Sequence, residues 1–242
     1  MKHRLLIDLN ADLGEGGQDD EAILSCVSSA NIACGGHAGD DASMRHAVLA
    51  AAQSGVKIGA HPSYPDRANF GRHEISMPSD ELRACLRQQI LALAEICQQQ
   101  QVRLHHVKPH GALYNQAARE PELARLIVEV IQQIDPTLIL YGLAGSQMAQ
   151  AAVAAGLAFY HEGFADRRYT DNCQLVPRGD PQAVITDHEA ALQQALQMAR
   201  QQQVRSISGQ LLQVQIDTLC LHGDGAHAKA LAAALYQHLQ TA

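Results

Sequence analysis

The residues able to do chemistry in this chain collect where apolar runs give way to Gly- or Pro-rich turns. His37 closes Asn31-Ile32-Ala33-Cys34-Gly35-Gly36-His37, and His61 closes Ile58-Gly59-Ala60-His61 ahead of Pro62. Lys108 and His110 fall in His106-Val107-Lys108-Pro109-His110-Gly111, and His222 follows Leu219-Cys220-Leu221 and opens His222-Gly223-Asp224-Gly225. The first apolar run ends in acids instead: Asp8-Leu9-Asn10-Ala11-Asp12-Leu13-Gly14-Glu15. Imidazoles, carboxylates and an ammonium can move protons near neutrality, hold a divalent cation or fix an anion. Polar groups at the C-terminal ends of several strands are the pattern of a β/α-barrel active face.

In a strand, Asp8, Asn10 and Asp12 share one face. Inward polar groups are costly unless they bond to each other or to a ligand. A buried network that closes the barrel accounts for Asp8, whereas Asp12 and Glu15 lie at the mouth and read as site residues. Asp12, His37 and His61 could supply the three protein ligands of a mononuclear zinc. No H-x-x-x-H or H-E-x-x-H spacing fixes that choice, so acid–base catalysis by the same groups stands beside it. Lys108 could clamp a carboxylate or phosphate, or stabilise developing negative charge, with His110 and Tyr114 close by in sequence. The loop 163–180 is either a lid or a solvated connection. It carries Asp166 and Arg167, the latter suited to a carboxylate. Asp66 and Arg72 form a similar loop after the third strand. The first N–H groups after Gly225 could hold an anion with Lys108, although Asp224 opposes one there. The expected catalytic set is therefore Asp12, Glu15, His61, Lys108 and His110. The expected substrate contacts are Asn10, His37, Asp66, Arg72, Tyr114, Asp166, Arg167, His222 and Asp224.

Alternating strand and helix signals must position these groups. Strands are expected at 4–10, 29–34, 56–61, 102–108, 137–142, 157–162 and 216–222. Helices are expected at 19–27, 42–54, 79–100, 121–134, 145–155, 187–202 and 226–239. Asp40 and Asp41 precede the second helix and Gly55 follows it, as capping and the helix dipole favour. Leu82, Leu86, Ile90, Leu93 and Ile96 recur at helical spacing in the third. The alternation implies a parallel sheet with crossover helices. Seven strands leave two closures, an irregular TIM-like barrel or an open doubly wound sheet. Polar clusters spread over at least five strand ends favour the barrel, since an open sheet gathers its site at one switch point. Residues 204–215 break the rhythm and read as a small β-hairpin insertion around Ser208-Gly209-Gln210. No linker or repeat divides 1–242 into a second domain.

Composition removes other classes. The formal charge is -7 with no basic run, and Trp is absent, which disfavours a nucleic-acid partner. No apolar run approaches the ~20 residues of a membrane span, and the short apolar stretch after Met1-Lys2-His3-Arg4 is interrupted by Asp8, unlike a signal peptide. Six cysteines without paired spacing read as reduced thiols of a cytoplasmic protein. The Gly-x-x-x-x-Gly-Lys-[Ser/Thr] phosphate loop is absent.

Seven separated strings together resemble the LamB/YcsF family of 5-oxoprolinase components. They are D-L-N-A-D-L-G-E at 8–15, N-I-A-C-G-G-H-A-G-D at 31–40, G-A-H-P-S-Y-P-D at 59–66, F-G-R at 70–72, V-K-P-H-G-A-L-Y-N at 107–115, E-G-F-A-D-R-R-Y at 162–169 and H-G-D at 222–224. The resemblance covers essentially the whole chain. It implies an irregular seven-stranded β/α barrel similar to the glycoside hydrolase/deacetylase superfamily. It implies ATP-dependent opening of 5-oxo-L-proline to L-glutamate, with partner subunits of the PxpB and PxpC type through which ATP is used. Related deacetylases hold a metal with an Asp-His-His set, and some carry N-A-D-D where this chain has Asn10-Ala11-Asp12-Leu13. The competing readings are a metal-dependent deacetylase or sugar hydrolase on the same barrel, and a non-catalytic substrate-binding subunit.

Overall fold

The computed structural model describes residues 5–17, 19–221 and 228–240. Strands β1 (Asp8–Leu13), β2 (Ser29–Ala33), β3 (Lys57–His61), β4 (Leu104–Val107), β5 (Ile139–Leu143) and β6 (Phe159–Phe164) alternate with helices α1 (Asp20–Leu24), α2 (Asp41–Gln53), α3 (Ser79–Gln99), α4 (Gly111–Arg119), α5 (Pro121–Ile134) and α6 (Gln147–Ala155). Helix α7 (His188–Gln201) follows, then the hairpin strands β7 (Gln203–Arg205) and β8 (Leu211–Gln213), strand β9 (Thr218–Leu221) and helix α8 (Ala228–Leu239). The barrel order is β1-β2-β3-β4-β5-β6-β9, and β9 pairs in parallel with both β6 and β1. The sheet is closed, not open. The β7–β8 pair is antiparallel and stands outside the barrel, in the segment expected as a hairpin.

Helix positions follow from local chemistry. The Asp40 side chain accepts from the Ser43 N–H, and the Ser43 hydroxyl answers the Asp40 N–H, so a capping box starts α2. Pro121 opens α5, where its missing N–H costs nothing. The buried face of α5, with Leu123, Leu126, Ile127, Val130 and Ile131, recurs every three or four residues and packs against α3, α4 and α6.

Two elements differ from the sequence expectation. β1 runs over 8–13 and not 4–10, because Leu5 instead bridges Gln240 and the ladder to β2 begins at the Asn10–Ser29 pair. Asp8 and Asp12 therefore lie within the strand, and Glu15 follows it in the turn. Helix α4 was not among the expected helices. Its buried Leu113, Tyr114, Ala117 and Ala118 carry a helical stripe. It starts on Gly111 at φ 56°, where an added Cβ would press on the Gly71 carbonyl.

The barrel interior is polar, unlike the layers of Val, Ile and Leu common in such barrels. Asp8 Oδ1 accepts from the hydroxyls of Ser28 (2.8 Å) and Ser29 (2.6 Å), and Oδ2 from Thr218 (2.7 Å). One layer up, Asn10 Nδ2 donates to Thr218 Oγ1 (2.7 Å) and Glu162 Oε1 (3.0 Å). Asn31 Nδ2 donates to Asn10 Oδ1 (2.7 Å) and Asp12 Oδ1 (2.8 Å), while His106 Nε2 donates to Asn31 Oδ1 (2.8 Å). The His106 ring also stacks on Tyr141 at 4.0 Å. Gly59 makes room for it, since a Cβ on Gly59 would fall inside that ring. Gly59→Ala is expected to destabilise the protein by about 1–3 kcal/mol through overpacking. Urea denaturation checks this, and an unchanged midpoint would mean that His106 does not occupy the barrel beside β3.

Candidate active site at the C-terminal end of the barrel

The strand ends deliver the functional groups to one place. Asp12 comes from β1 and Glu15 from the turn after it. His37 comes from the Gly35-Gly36 loop after β2, and His61 is the last residue of β3. Lys108 follows β4 directly, and His110 is the N-cap residue of α4. A cavity of about 760 Å³ opens above them, lined by Asp12, Glu15, His61, Lys108, His110 and Tyr114 on its floor. Its outer wall includes Arg72, Arg119, Arg167 and Arg178.

Lys108 is fully used. Its Nζ lies 2.9 Å from Asp12 Oδ1, 2.8 Å from Glu162 Oε1, 3.3 Å from Asn10 Oδ1 and 3.1 Å from Cys220 Sγ. Burial opposes its charge, but Asp12 first and then Cys220 and Glu162 hold the ammonium well above its ordinary pKa. Two carboxylates already match this cation, so it orients Asp12 before it can serve a substrate anion. That differs from the clamp expected of Lys108 from sequence.

The imidazoles are held by their outer nitrogens. His61 Nδ1 donates to the Lys108 carbonyl (2.7 Å) and His110 Nε2 to the Phe70 carbonyl (2.9 Å). Their remaining nitrogens, His61 Nε2 and His110 Nδ1, face each other at 3.0 Å. Two lone pairs at that distance repel, so a proton or another cation belongs between them. Burial pulls His61 down, yet Asp12, 3.5 Å from Nε2, lifts it above its ordinary value overall. Burial, joined by the charge of His61, takes His110 down to about 2 and His37 down to about 3. His37 Nε2 donates to Glu15 Oε1 at 2.9 Å, and its ring stacks on His110 with centroids 3.6 Å apart and planes 4° from parallel.

The remaining expected residues separate into groups. Arg167 is 3% exposed and lines the cavity, donating to the carbonyls of Val176 (2.6 Å) and Ala183 (3.4 Å). Among the described residues no carboxylate lies within ion-pair distance of it, and burial lowers its pKa to about 10. Tyr114 reaches the cavity with a buried hydroxyl that makes no hydrogen bond among the described residues. Arg72 lies over the Phe70 ring at 5.0 Å on the wall. Asn10 and His37 are buried beneath the lining. Asp66 does not line the cavity, because its Oδ1 accepts from the Asn69 backbone and side chain and shapes the turn that presents Phe70. Asp166 does not line it either, its neighbour Arg167 being the residue turned inward. His222, Asp224 and the expected anion site at 223–226 lie outside the described residues.

Sequence reasoning left out Glu162, Asn31 and His106, which support the floor from below. Their signal was present, since each is a polar residue inside a barrel strand, though Ser29, His105 and His161 in the same strands carry the same signal. The 163–180 loop contributes Asn172, Gln174 and Arg178 to the wall and is tied down by Tyr169, whose hydroxyl accepts from the Phe164 N–H (2.8 Å).

A closed parallel β/α barrel with a carboxylate, imidazole and ammonium cluster at its C-terminal end has the architecture of a barrel enzyme. Residues 7–242 match the LamB/YcsF family, and the chain belongs to it. It is 49% identical to the 5-oxoprolinase A-subunit of Neisseria meningitidis serogroup A over 236 residues, 98% of this chain and 96% of that protein. The serogroup B protein of the same name matches equally. Among solved structures, a lactam utilization protein from Thermus thermophilus superposes with a TM-score of 0.90 at 40% identity, covering 99% of this chain and 96% of that one. A putative cellobiose-phosphate cleavage protein from Enterococcus faecalis superposes at 0.57 with 12% identity over 97% of this chain and 90% of that one, a likeness of fold alone.

Asn31→Leu, of similar size, removes the partner of the His106 N–H and one donor to Asp12. A buried group left unpaired costs about 1–3 kcal/mol. Thermal or urea unfolding is expected to show a loss of that size, and no loss would mean that the network is not intact in solution.

Proposed function

We propose that this chain is the lactam-opening subunit of an ATP-dependent 5-oxoprolinase, converting 5-oxo-L-proline to L-glutamate with partner subunits of the PxpB and PxpC type. The relatives' names supply the substrate. The observation that carries the chemistry is Asp12, held by Lys108 and Asn31 at the cavity floor beside the His61–His110 pair. Hydrolysis adds water to the C5 carbonyl of the lactam, breaks the C5–N bond and places a proton on the released nitrogen. Asp12 orients the water, accepts its proton and passes it to the released nitrogen, beside the His61–His110 pair. Arg167 takes the substrate carboxylate, since it is a buried guanidinium with only carbonyl partners. Tyr114 donates to a ring polar atom. An unactivated lactam is a poor electrophile; phosphorylation of its carbonyl oxygen by ATP would activate C5, water addition with C5–N cleavage would then leave the γ-acyl phosphate of glutamate, and a second water would release glutamate and inorganic phosphate. The sequence contains no Gly-x-x-x-x-Gly-Lys-[Ser/Thr] phosphate loop, so the partners are assigned the ATP step.

Glutamate release from 5-oxoproline and ATP, assayed with each subunit omitted in turn, tests the assignment. Activity is expected only in the complete mixture, and glutamate formed without this chain would overturn it. Asp12→Asn in the complete mixture is expected to lower turnover by about 10²–10⁴ with the fold retained by circular dichroism. Full turnover would remove Asp12 from proton transfer. Arg167→Lys loses bidentate recognition and is expected to raise KM about tenfold or more with a smaller change in kcat. An unchanged KM would place the carboxylate elsewhere.

A further inference from the structure

We propose that His61 Nε2, His110 Nδ1 and Glu15 Oε1 form a site for one divalent cation of the zinc type, with His37 orienting Glu15 and Asp12 outside the donor set. Glu15, His37, His61 and His110 each bring a donor atom within 4.8 Å of the others. The geometry separates ligands from support. His61 and His110 each spend the outer ring N–H on a backbone carbonyl, at 2.7 and 2.9 Å, which fixes the tautomer and turns both lone pairs to one point. That is the outer-shell arrangement of metal-binding histidines. The three donor–donor separations are 3.0 Å between the imidazole nitrogens, 3.5 Å from His110 to Glu15 and 3.8 Å from His61 to Glu15. Bonds of about 2.0–2.1 Å in a tetrahedron put neighbouring ligands roughly 3.3–3.4 Å apart. The observed set brackets that value.

His37 does not belong to the set. An imidazole lone pair lies in its ring plane, and the His37 ring is stacked parallel to His110 at 3.6 Å. A cation on the axis of His110 is therefore well out of the His37 plane, and His37 Nε2 already donates to Glu15. Asp12 Oδ1 is taken by the Lys108 ammonium at 2.9 Å and the Asn31 donor at 2.8 Å, and although Oδ2 lies 3.5 Å from His61 Nε2, Asp12 falls outside the group whose donor atoms all lie within 4.8 Å of one another. This departs from the Asp12, His37 and His61 set expected from sequence. All three ligands line the cavity, which leaves the fourth position towards substrate. A zinc-type cation there would supply Lewis-acid polarisation of a carbonyl or water.

The inference stands apart from the lactam reading, and its test needs no substrate. Protein stripped with a chelator is titrated with Zn²⁺ by calorimetry and with Co²⁺ by visible absorption, each variant being checked for fold by circular dichroism. The wild type is expected to take up one equivalent and to give the Co²⁺ bands of a low-coordinate nitrogen–oxygen site. Glu15→Gln and His110→Gln are each expected to weaken binding at least a hundredfold. His37→Gln should keep one equivalent with affinity lowered about 10–100-fold, as loss of an outer-shell partner does. Asp12→Asn should change affinity by no more than a few-fold. No stoichiometric uptake by folded wild type would overturn the site and leave a shared proton between His61 and His110. Uptake indifferent to Glu15→Gln and His110→Gln, or abolished by Asp12→Asn, would overturn the donor set.

Discussion

The Lys108 ammonium sits inside the barrel between Asp12 of β1 and Glu162 of β6, and the site is assembled around it. Removing an ammonium from water costs several kcal/mol unless carboxylates and further acceptors match it closely. Here Asn10 and Cys220 complete the match, and Asn10 and Asn31 pass the constraint on to neighbouring strands. Breaking any member leaves a charge or a donor unpaired in a medium that does not solvate it. The cluster thereby couples the position of the Asp12 carboxylate to the closure of the barrel.

The same logic explains a barrel filled with polar side chains. A core of branched aliphatics packs well but does not specify which oxygen faces which nitrogen. The layered network from Asp8 through Asn10 and Asn31 to Asp12 sets hydrogen-bond partners across β9, β1, β2 and, through His106, β4. A shift of one strand by one residue would leave several buried groups without partners, so register and site geometry are fixed together. The aliphatic burial that drives folding lies outside, between the strands and helices such as α2, α3, α6 and α7, with α5 packed on α3, α4 and α6.

The cavity is electrically divided. Its floor gathers carboxylates around one ammonium and a pair of facing imidazole nitrogens, which suits proton transfer or a cation. Its wall carries arginines, of which Arg167 is buried and, among the described residues, donates to the Val176 and Ala183 carbonyl oxygens. A small molecule with an anionic group and a polarised carbonyl fits that division, the anion towards Arg167 and the carbonyl towards the floor.

Sequence alone determined the alternation of strands and helices, the barrel in preference to the open sheet and the β7–β8 hairpin. It also drew attention to Asp12, Glu15, His61, Lys108 and His110. Those conclusions rest on period, turn residues and polar groups at strand ends, all of which are local. The start of β1 was misplaced because Leu5-Leu6-Ile7 is as apolar as a strand, and only pairing with β2 shows where the ladder begins. Helix α4 was missed because its first residues were read as a loop motif, although the stripe through Leu113 and Ala117 was present. Partnership was beyond local reading. Glu162 is 54 residues from Lys108, and Asn31 is 75 from His106, so no spacing announces that they touch. Asp66 and His37 look alike as loop residues, yet one shapes a turn while the other stacks on His110 and holds Glu15. Only tertiary structure decided which lone pairs face each other and which charges are already spent. Those facts depend on distances across the closed barrel, which the chain defines only when all seven strands are in place.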